Sequence, residues 1–146
     1  MNIRIVDEEI RLIPYYRNDD VSLSWYQDKD VCKQCDNIDF IYDLNRLHNM
    51  YDYLCAHGKC YYIEYKGILV GDITLLDNKE IAIVVCKEYQ NKHIGRRCVL
   101  NILKLAKEEN MDRIRANIYS FNEQSKKMFL SIGFKQIDKE LYEYII

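Results

Sequence analysis

The chain has no surplus of positive charge, no long apolar run and no low-complexity tract. Lysine and arginine total 21 against 23 aspartates and glutamates, a net charge of −2, so the broad basic face of a general nucleic-acid binder is missing. No segment approaches the ~20 apolar residues of a membrane span, and no basic start leads into an apolar run. The expectation is a cytoplasmic protein that engages neither nucleic acid nor membrane. One proline and five glycines leave no linker, and no repeat is evident. At 146 residues, 49% apolar and 30% charged, residues 1–146 are expected to form one domain with its own core.

Cysteine, by contrast, is present six times. Without a secretion signal these read as reduced thiols. Cys86 and Cys98 fall within apolar patterns and behave as small core residues. Cys32-Lys33-Gln34-Cys35 and Cys55-Ala56-His57-Gly58-Lys59-Cys60 raise a second reading, a zinc-stapled interaction domain with four thiolates or three thiolates and an imidazole. The second spacing is loose for such a staple and both pairs sit at element edges, so no metal is expected.

Asn2 to Val6 and Glu9 to Ile13 read as short extended runs ending near Pro14. Asn18-Asp19-Asp20 starts a helix that leads through Trp25 to Asp28. Lys29 to Asp39 carry little pattern and read as a loop. A second helix fits Tyr42 to Ala56, with Leu44, Leu47, Tyr51 and Leu54 on one face and Gly58 as its stop. Cys60 to Tyr65 and Ile68 to Leu76 form a hairpin about Lys66-Gly67, and Asp77-Asn78-Lys79 is a second turn. Arg113 to Tyr119 alternate as a strand. Ser120-Phe121-Asn122-Glu123 reads as a capping box opening a helix whose apolar face is Phe121, Ser125, Met128, Phe129 and Ile132. Phe134 to Ile137 and Leu141 to Ile146 close the chain as strands. This order predicts a mixed α/β sheet flanked by about four helices.

The central stretch runs from Glu80 to Cys98. Ile81 to Val85 are apolar on both faces, as a strand buried on two sides would be. After a polar, cationic loop, Ile94, Cys98, Ile102 and Leu105 recur at helical spacing, widened by Val99, Leu103 and Ala106, with Arg97, Asn101, Lys104 and Glu108 opposite. A strand entering a helix through such a loop makes an anion site, because the first helical amides lack acceptors and the dipole adds positive charge. Lys92, His93, Arg96 and Arg97 add side-chain donors, and a phosphate or diphosphate is the expected ligand.

Gln90-Asn91-Lys92-His93-Ile94-Gly95 resembles the Gln/Arg-x-x-Gly-x-Gly/Ala loop of the GNAT superfamily of N-acetyltransferases, which cradles the pyrophosphate of acetyl-CoA. His93 stands where that loop usually has its first glycine, and Asn91 where many members have another. Asn and His enter the left-handed backbone region more readily than most residues, so the turn is compatible with both. Asn122-Glu123-Gln124-Ser125-Lys126-Lys127-Met128-Phe129, ending at Gly133-Phe134, resembles the family's Asn-x-x-Ala-x-x-Leu-Tyr-x-x-x-Gly-Phe segment. Trp25-Tyr26-Gln27-Asp28 resembles the Trp-x-x-Asp start of the branch acting on ribosomal-protein N-termini, polyamines and aminoglycosides. Two motifs in order and correctly spaced carry more weight than one degenerate loop.

The resemblance implies an acyl-CoA N-acyltransferase fold and transfer of acetyl from acetyl-CoA to a primary amine, by a monomer or homodimer. It implies that Gln90, Asn91, Lys92, His93, Ile94, Gly95 and Arg96 hold the diphosphate. Ile83, Val84 and Val85 would pair with the pantetheine arm, with Asn122 and Ser125 contacting the cofactor. Glu80 matches a glutamate of polyamine-type members and could bind the ammonium or accept its proton; Asp72 is a lesser counterpart. Tyr42, Tyr51 and Tyr53 lie where the family builds its acceptor wall, although such tyrosines are more often core-edge aromatics. Phe129 occupies the position of the tyrosine that usually protonates the leaving thiolate, which leaves that step to water or to another tyrosine such as Tyr119 or Tyr142. It also leaves an alternative reading, a catalytically inert CoA-binding regulatory module of the same fold.

Overall fold

The computed structural model describes all 146 residues. Five strands form one antiparallel sheet in the order β1 (Arg4–Ile5), β2 (Ile10–Pro14), β3 (Gly58–Tyr65), β4 (Ile68–Leu76), β5 (Ile81–Val85). A second antiparallel sheet has the order β6 (Arg113–Asn117), β8 (Leu141–Ile145), β7 (Lys135–Asp138). The two meet at a single parallel bridge, Glu80 to Arg115, where the Arg115 amide donates to the Lys79 carbonyl at 2.8 Å. The expected mixed sheet is present as two antiparallel ladders joined through one parallel rung, beyond which they part.

Five helices, not four, flank them: α1 (Asp19–Trp25), α2 (Lys29–Asp36), α3 (Leu44–His57), α4 (Ile94–Glu108) and α5 (Glu123–Ile132). The loop expected over Lys29 to Asp39 is mostly the helix α2. Its apolar burial is slight, limited to Val31 and Cys32, but the Asp28 side chain caps it by accepting from the amides of Asp30 and Val31. At α5 the cap is Asn122, which accepts from the Ser125 amide at 3.2 Å. Ser120, expected to cap, instead donates its amide and hydroxyl to Glu140.

Two apolar clusters lie on opposite faces of the first sheet. One packs α4, through Ile94, Cys98, Val99, Ile102 and Leu105, against β2 to β6 and the Phe129–Phe134 pair. The other packs α1 to α3 through Trp25, Tyr26, Tyr42, Leu47 and Tyr51. The apolar stripe of α4 is buried as its periodicity requires, but Asn101, expected outward, is buried too. Arg4 covers it, donating Nε to its Oδ1 at 2.8 Å.

Gly71 sets the separation of β4 and β5. A Cβ there would lie 2.1 Å from the Val84 carbonyl oxygen, a backbone atom that cannot move aside. Gly71→Ala should therefore part the strands and lower stability by about 2 kcal/mol or more in urea unfolding. An unchanged midpoint would show that the pairing is looser than described.

Candidate active site

Beyond the Glu80–Arg115 bridge, β5 has no partner on the side of β6, and the gap opens into a cavity of about 980 Å³. In the β4–β5 ladder the Leu76 amide donates to the Glu80 carbonyl and the Cys86 amide to the Val70 carbonyl. Antiparallel alternation then turns the backbone groups of Ala82 and Val84 toward β4, and those of Ile83 and Val85 toward the gap. Val84 thus reaches the cavity only by its side chain; the backbone pairing expected of it is already used by β4. The Val85 carbonyl accepts from the Gln90 side-chain amide at 2.9 Å, and that same amide reaches Gln34 Oε1 at 3.0 Å.

At one end of the gap lies the start of α4. Asn91 and His93 adopt left-handed backbone, with φ of 62° and 59°. The turn survives without its glycines, as the residue types allow. His93 occupies the N-cap position and gives no side-chain cap, whereas aspartate or asparagine caps α2, α3 and α5. Six consecutive amides, Asn91 to Arg96, find no acceptor in the protein. Alternating left- and right-handed residues ahead of a helix curl such amides into an anion-binding concavity. The Gln90 amide does not join them, because it donates to the Lys87 carbonyl. Lys92 is exposed and not part of the cavity wall, whereas His93, Gly95 and Arg96 line it. Arg97, expected among the cationic donors, points away and pairs with Asp7 and Glu9 at 2.9 and 3.0 Å.

The opposite wall is α5 and the loop before it. Asn122, Ser125 and Phe129 all line the cavity. The Asn122 oxygen is spent on its cap, leaving its amide nitrogen free. Phe129 is only 3% exposed and meets Phe134 edge to face at 5.0 Å, so it is a core residue that also touches the cavity. Of the substitute tyrosines, Tyr142 is buried away from the cavity, whereas Tyr119 lines it. Burial raises the Tyr119 hydroxyl above its ordinary pKa, with Asp36 and Cys35 adding to the effect.

Four carboxylates also line the cavity: Asp36, Asp72, Glu80 and Glu140. Glu80 sits at the junction of the sheets, where Asn117 Nδ2 donates to its Oε1 at 2.8 Å. Asp72, from β4, is 3% exposed, and the hydroxyls of Tyr26 and Tyr51 donate to its Oδ2 at 2.6 and 2.8 Å. Tyr42 donates to Asp36 beside them. Tyr53, by contrast, is exposed against His57 and takes no part. Burial pushes Asp72 up to about 6 and outweighs the two tyrosine hydrogen bonds, which act the other way. Tyr26 was not singled out beforehand; its place in Trp25-Tyr26-Gln27-Asp28 was the available signal.

The cysteines are all free, and Cys32 and Cys60 are buried while Cys55 is exposed. No group of three or more His, Cys, Asp or Glu side chains is arranged to hold a metal ion. No helix is long and apolar enough to cross a membrane.

A sheet that splits beside a helix start rich in unpaired amides defines a class of protein: one built to grip an extended ligand with an anionic tail. The sequence profile of the acetyltransferase (GNAT) family matches residues 23–134, so the chain belongs to that family, which is one of acetyl-CoA-dependent acetyltransferases. A GNAT-family acetyltransferase from Bacillus anthracis superposes with a TM-score of 0.81 at 20% identity, covering 99% of this chain and 98% of that one. An acetyl transferase from Salmonella typhimurium, which modifies the N-terminal serine of 50S ribosomal protein L7/L12, gives 0.78 at 13% identity over 99% of each chain. The Salmonella typhimurium protein yncA, solved with its cofactor acetyl-CoA, gives 0.73 at 14% identity over 94% of each chain. At these identities the likeness is one of fold. No curated protein sequence matches the chain.

The raised pKa of Asp72 makes a stability prediction. Between 3.8, its ordinary value, and about 6 the folded chain holds more protons than the unfolded one. Its contribution is therefore intact below pH 4 and declines as pH rises to 6, by about 3 kcal/mol for a shift of this size. Asp72→Asn lacks this decline, so in urea unfolding the variant should gain on wild type from pH 4 to 7. A difference that stays flat with pH would place the Asp72 titration elsewhere.

Proposed function

We propose that the chain, acting as one domain over residues 1–146, transfers acetyl from acetyl-CoA to a primary amine. The observation that carries this reading is the run of six unpaired amides, Asn91 to Arg96, opening onto the free edge of β5. In this reading the amides receive the diphosphate, aided by Arg96 and His93. The pantetheine arm lies along Ile83 and Val85 as an added strand, with Asn122 and Ser125 across the gap. The arm displaces the Gln90 amide from the Val85 carbonyl, and an edge amide donates to the thioester oxygen. The amine nitrogen attacks the thioester carbon, the C–S bond breaks, and the thiolate takes its proton from water. Glu80, held by Asn117, receives directly or through water the proton that the nitrogen sheds once it has attacked, when it is far more acidic than an alkylammonium.

The acceptor is a cationic amine, because Asp36, Asp72, Glu80 and Glu140 line the cavity. Small amines, polyamines, aminoglycosides and protein N-termini meet that description. Six thiols, none cross-linked, suit a reducing cytoplasm. The inert CoA-binding module is favoured by one observation, the lack of a hydroxyl on Phe129. Thiol release with a panel of these amines separates it from an enzyme.

Two variants test the cofactor site. A Cβ on Gly95 would meet Ile83, Val85 and Met128 at 3.6 to 3.8 Å, ordinary contact distances. Gly95→Ala should therefore fold as well as wild type. Gly95→Glu places a negative charge where the phosphates bind and should abolish the stabilisation by acetyl-CoA, about 2.7 kcal/mol at a hundredfold excess over Kd. A folded Gly95→Glu protein that holds acetyl-CoA as wild type does would overturn the site.

Phe129→Tyr, which adds only a hydroxyl, should leave acetyl-CoA binding intact and turnover equal or faster. Loss of binding would mean that the ring belongs wholly to the core.

A further inference from the structure

Asp72 is a buried carboxylate with no cation beside it. Its neighbours are Tyr26 just after α1, Tyr51 from α3 and Tyr62 across the strand on β3, the thiols of Cys60 and Cys35 lie within its electrostatic reach, and no lysine, arginine or histidine pairs with it. Burial pushes the hydroxyls of Tyr26, Tyr51 and Tyr62 and both thiols upward, so all five groups are neutral near pH 7. A buried charge is ordinarily paired or else neutralised. Here the two hydroxyls saturate Oδ2 and leave Oδ1 without a donor. Oδ1 is not sealed off in the core, and Asp72 contributes to the cavity wall. Asp72 also lies directly across from Val84 in the β4–β5 register, one strand spacing from the free edge of β5.

We infer that Oδ1 of Asp72, held by Tyr26 and Tyr51, is the anchor for the ammonium group of the acceptor. The inference rests on the proposed amine acetylation and names the point at which that amine is recognised. A titratable group lying on the acidic side of neutrality is mostly ionised at pH 7, and pairing with a ligand cation offsets its desolvation. Such a carboxylate is some four pKa units too weak to strip an alkylammonium of pKa about 10.4. Asp72 is therefore a positioning residue that binds the cation and leaves the proton to other groups. The tyrosines orient the carboxylate and keep it in one rotamer while contributing no charge of their own.

Two measurements test this. The first needs no turnover. The Asp72 carboxyl carbon is followed by NMR at pH 6 in the CoA-saturated protein, as n-butylammonium or n-butanol is added. The ammonium should draw the signal toward its ionised position and lower the apparent pKa, and the neutral alcohol should not. Equal responses, or none, would overturn the anchor. The second compares wild type with Asp72→Asn, which keeps an oxygen for the tyrosine hydroxyls. Whichever of n-butylamine, 1,4-diaminobutane and glycinamide wild type acetylates fastest serves as acceptor. The variant should raise KM for the amine at least tenfold, with kcat within about threefold and the Kd for acetyl-CoA unchanged. An unchanged KM would refute the anchor. If wild type binds acetyl-CoA but acetylates none of the three, the proposed reaction fails for these amines, and the carboxyl titration alone decides the role of Asp72.

Discussion

The rest of the structure depends on an interrupted strand pairing. β5 and β6 run parallel and touch at Glu80 and Arg115, then separate, so one edge of β5 is unpaired inside the molecule. An unpaired edge is a liability that proteins usually cover. Here the cover is a side chain: Gln90 donates to the Val85 carbonyl while Gln34 holds Gln90 from α2. A side chain is a replaceable partner in a way that a strand is not. The edge is therefore protected when empty and available to any ligand that brings its own amides and carbonyls.

The same cavity gathers charges of both signs that a net charge of −2 conceals. Unpaired amides open onto it at the start of α4, with Arg96 and Lys127 on its wall, and Asp36, Asp72, Glu80 and Glu140 line it too. Two of these carboxylates already have work inside the protein, since Glu140 binds Ser120 and Asp36 binds Tyr42 and Arg46. Arg97, which would have added a further cation, is held outside by Asp7 and Glu9. In the proposed reaction an anionic donor and a cationic acceptor would each meet groups of opposite sign in one cavity. Such complementarity improves orientation and discriminates against wrong partners more than it adds affinity.

What the sequence revealed about this arrangement follows from how local each signal is. The strand Ile81–Val85, the stripe of α4 and the left-handed turn at Asn91 and His93 are written in contiguous residues, and the structure has all three. α2 was missed because eight residues rich in charge, with two buried, are too short and too polar overall to stand out; its one clear mark, the Asp28 cap, lies within a segment read as a family motif. The Asp72 cluster was beyond local reading altogether. Tyr26 and Tyr51 stand 46 and 21 residues from the aspartate they orient, and nothing in an apolar strand marks its one acidic residue as partnered. Likewise Arg97 pairs with residues 90 and 88 positions away, and only the fold could remove it from the cationic loop.

Phe129 shows how the core and the chemistry compete for one position. Its ring closes the cluster around Phe134, where a hydroxyl without a partner would cost roughly 1–3 kcal/mol. A phenylalanine avoids that cost and forgoes a proton donor, whose help is worth about 10²–10⁴-fold. The loss is bearable because a thiol of pKa near 8.5 leaves readily as its anion. Among the tyrosines on the cavity wall, the hydroxyls of Tyr26 and Tyr42 are spent on Asp72 and Asp36. Tyr89 packs against Tyr65 in the turn before α4, toward the anion end. Tyr119 remains, two residues past the end of β6, its ring stacked on Phe121 and its hydroxyl engaged with no protein group. A hydroxyl raised above its ordinary pKa holds its proton firmly against bulk water. In the proposed reaction it would therefore act by donating a hydrogen bond to the developing thiolate, with water completing the transfer.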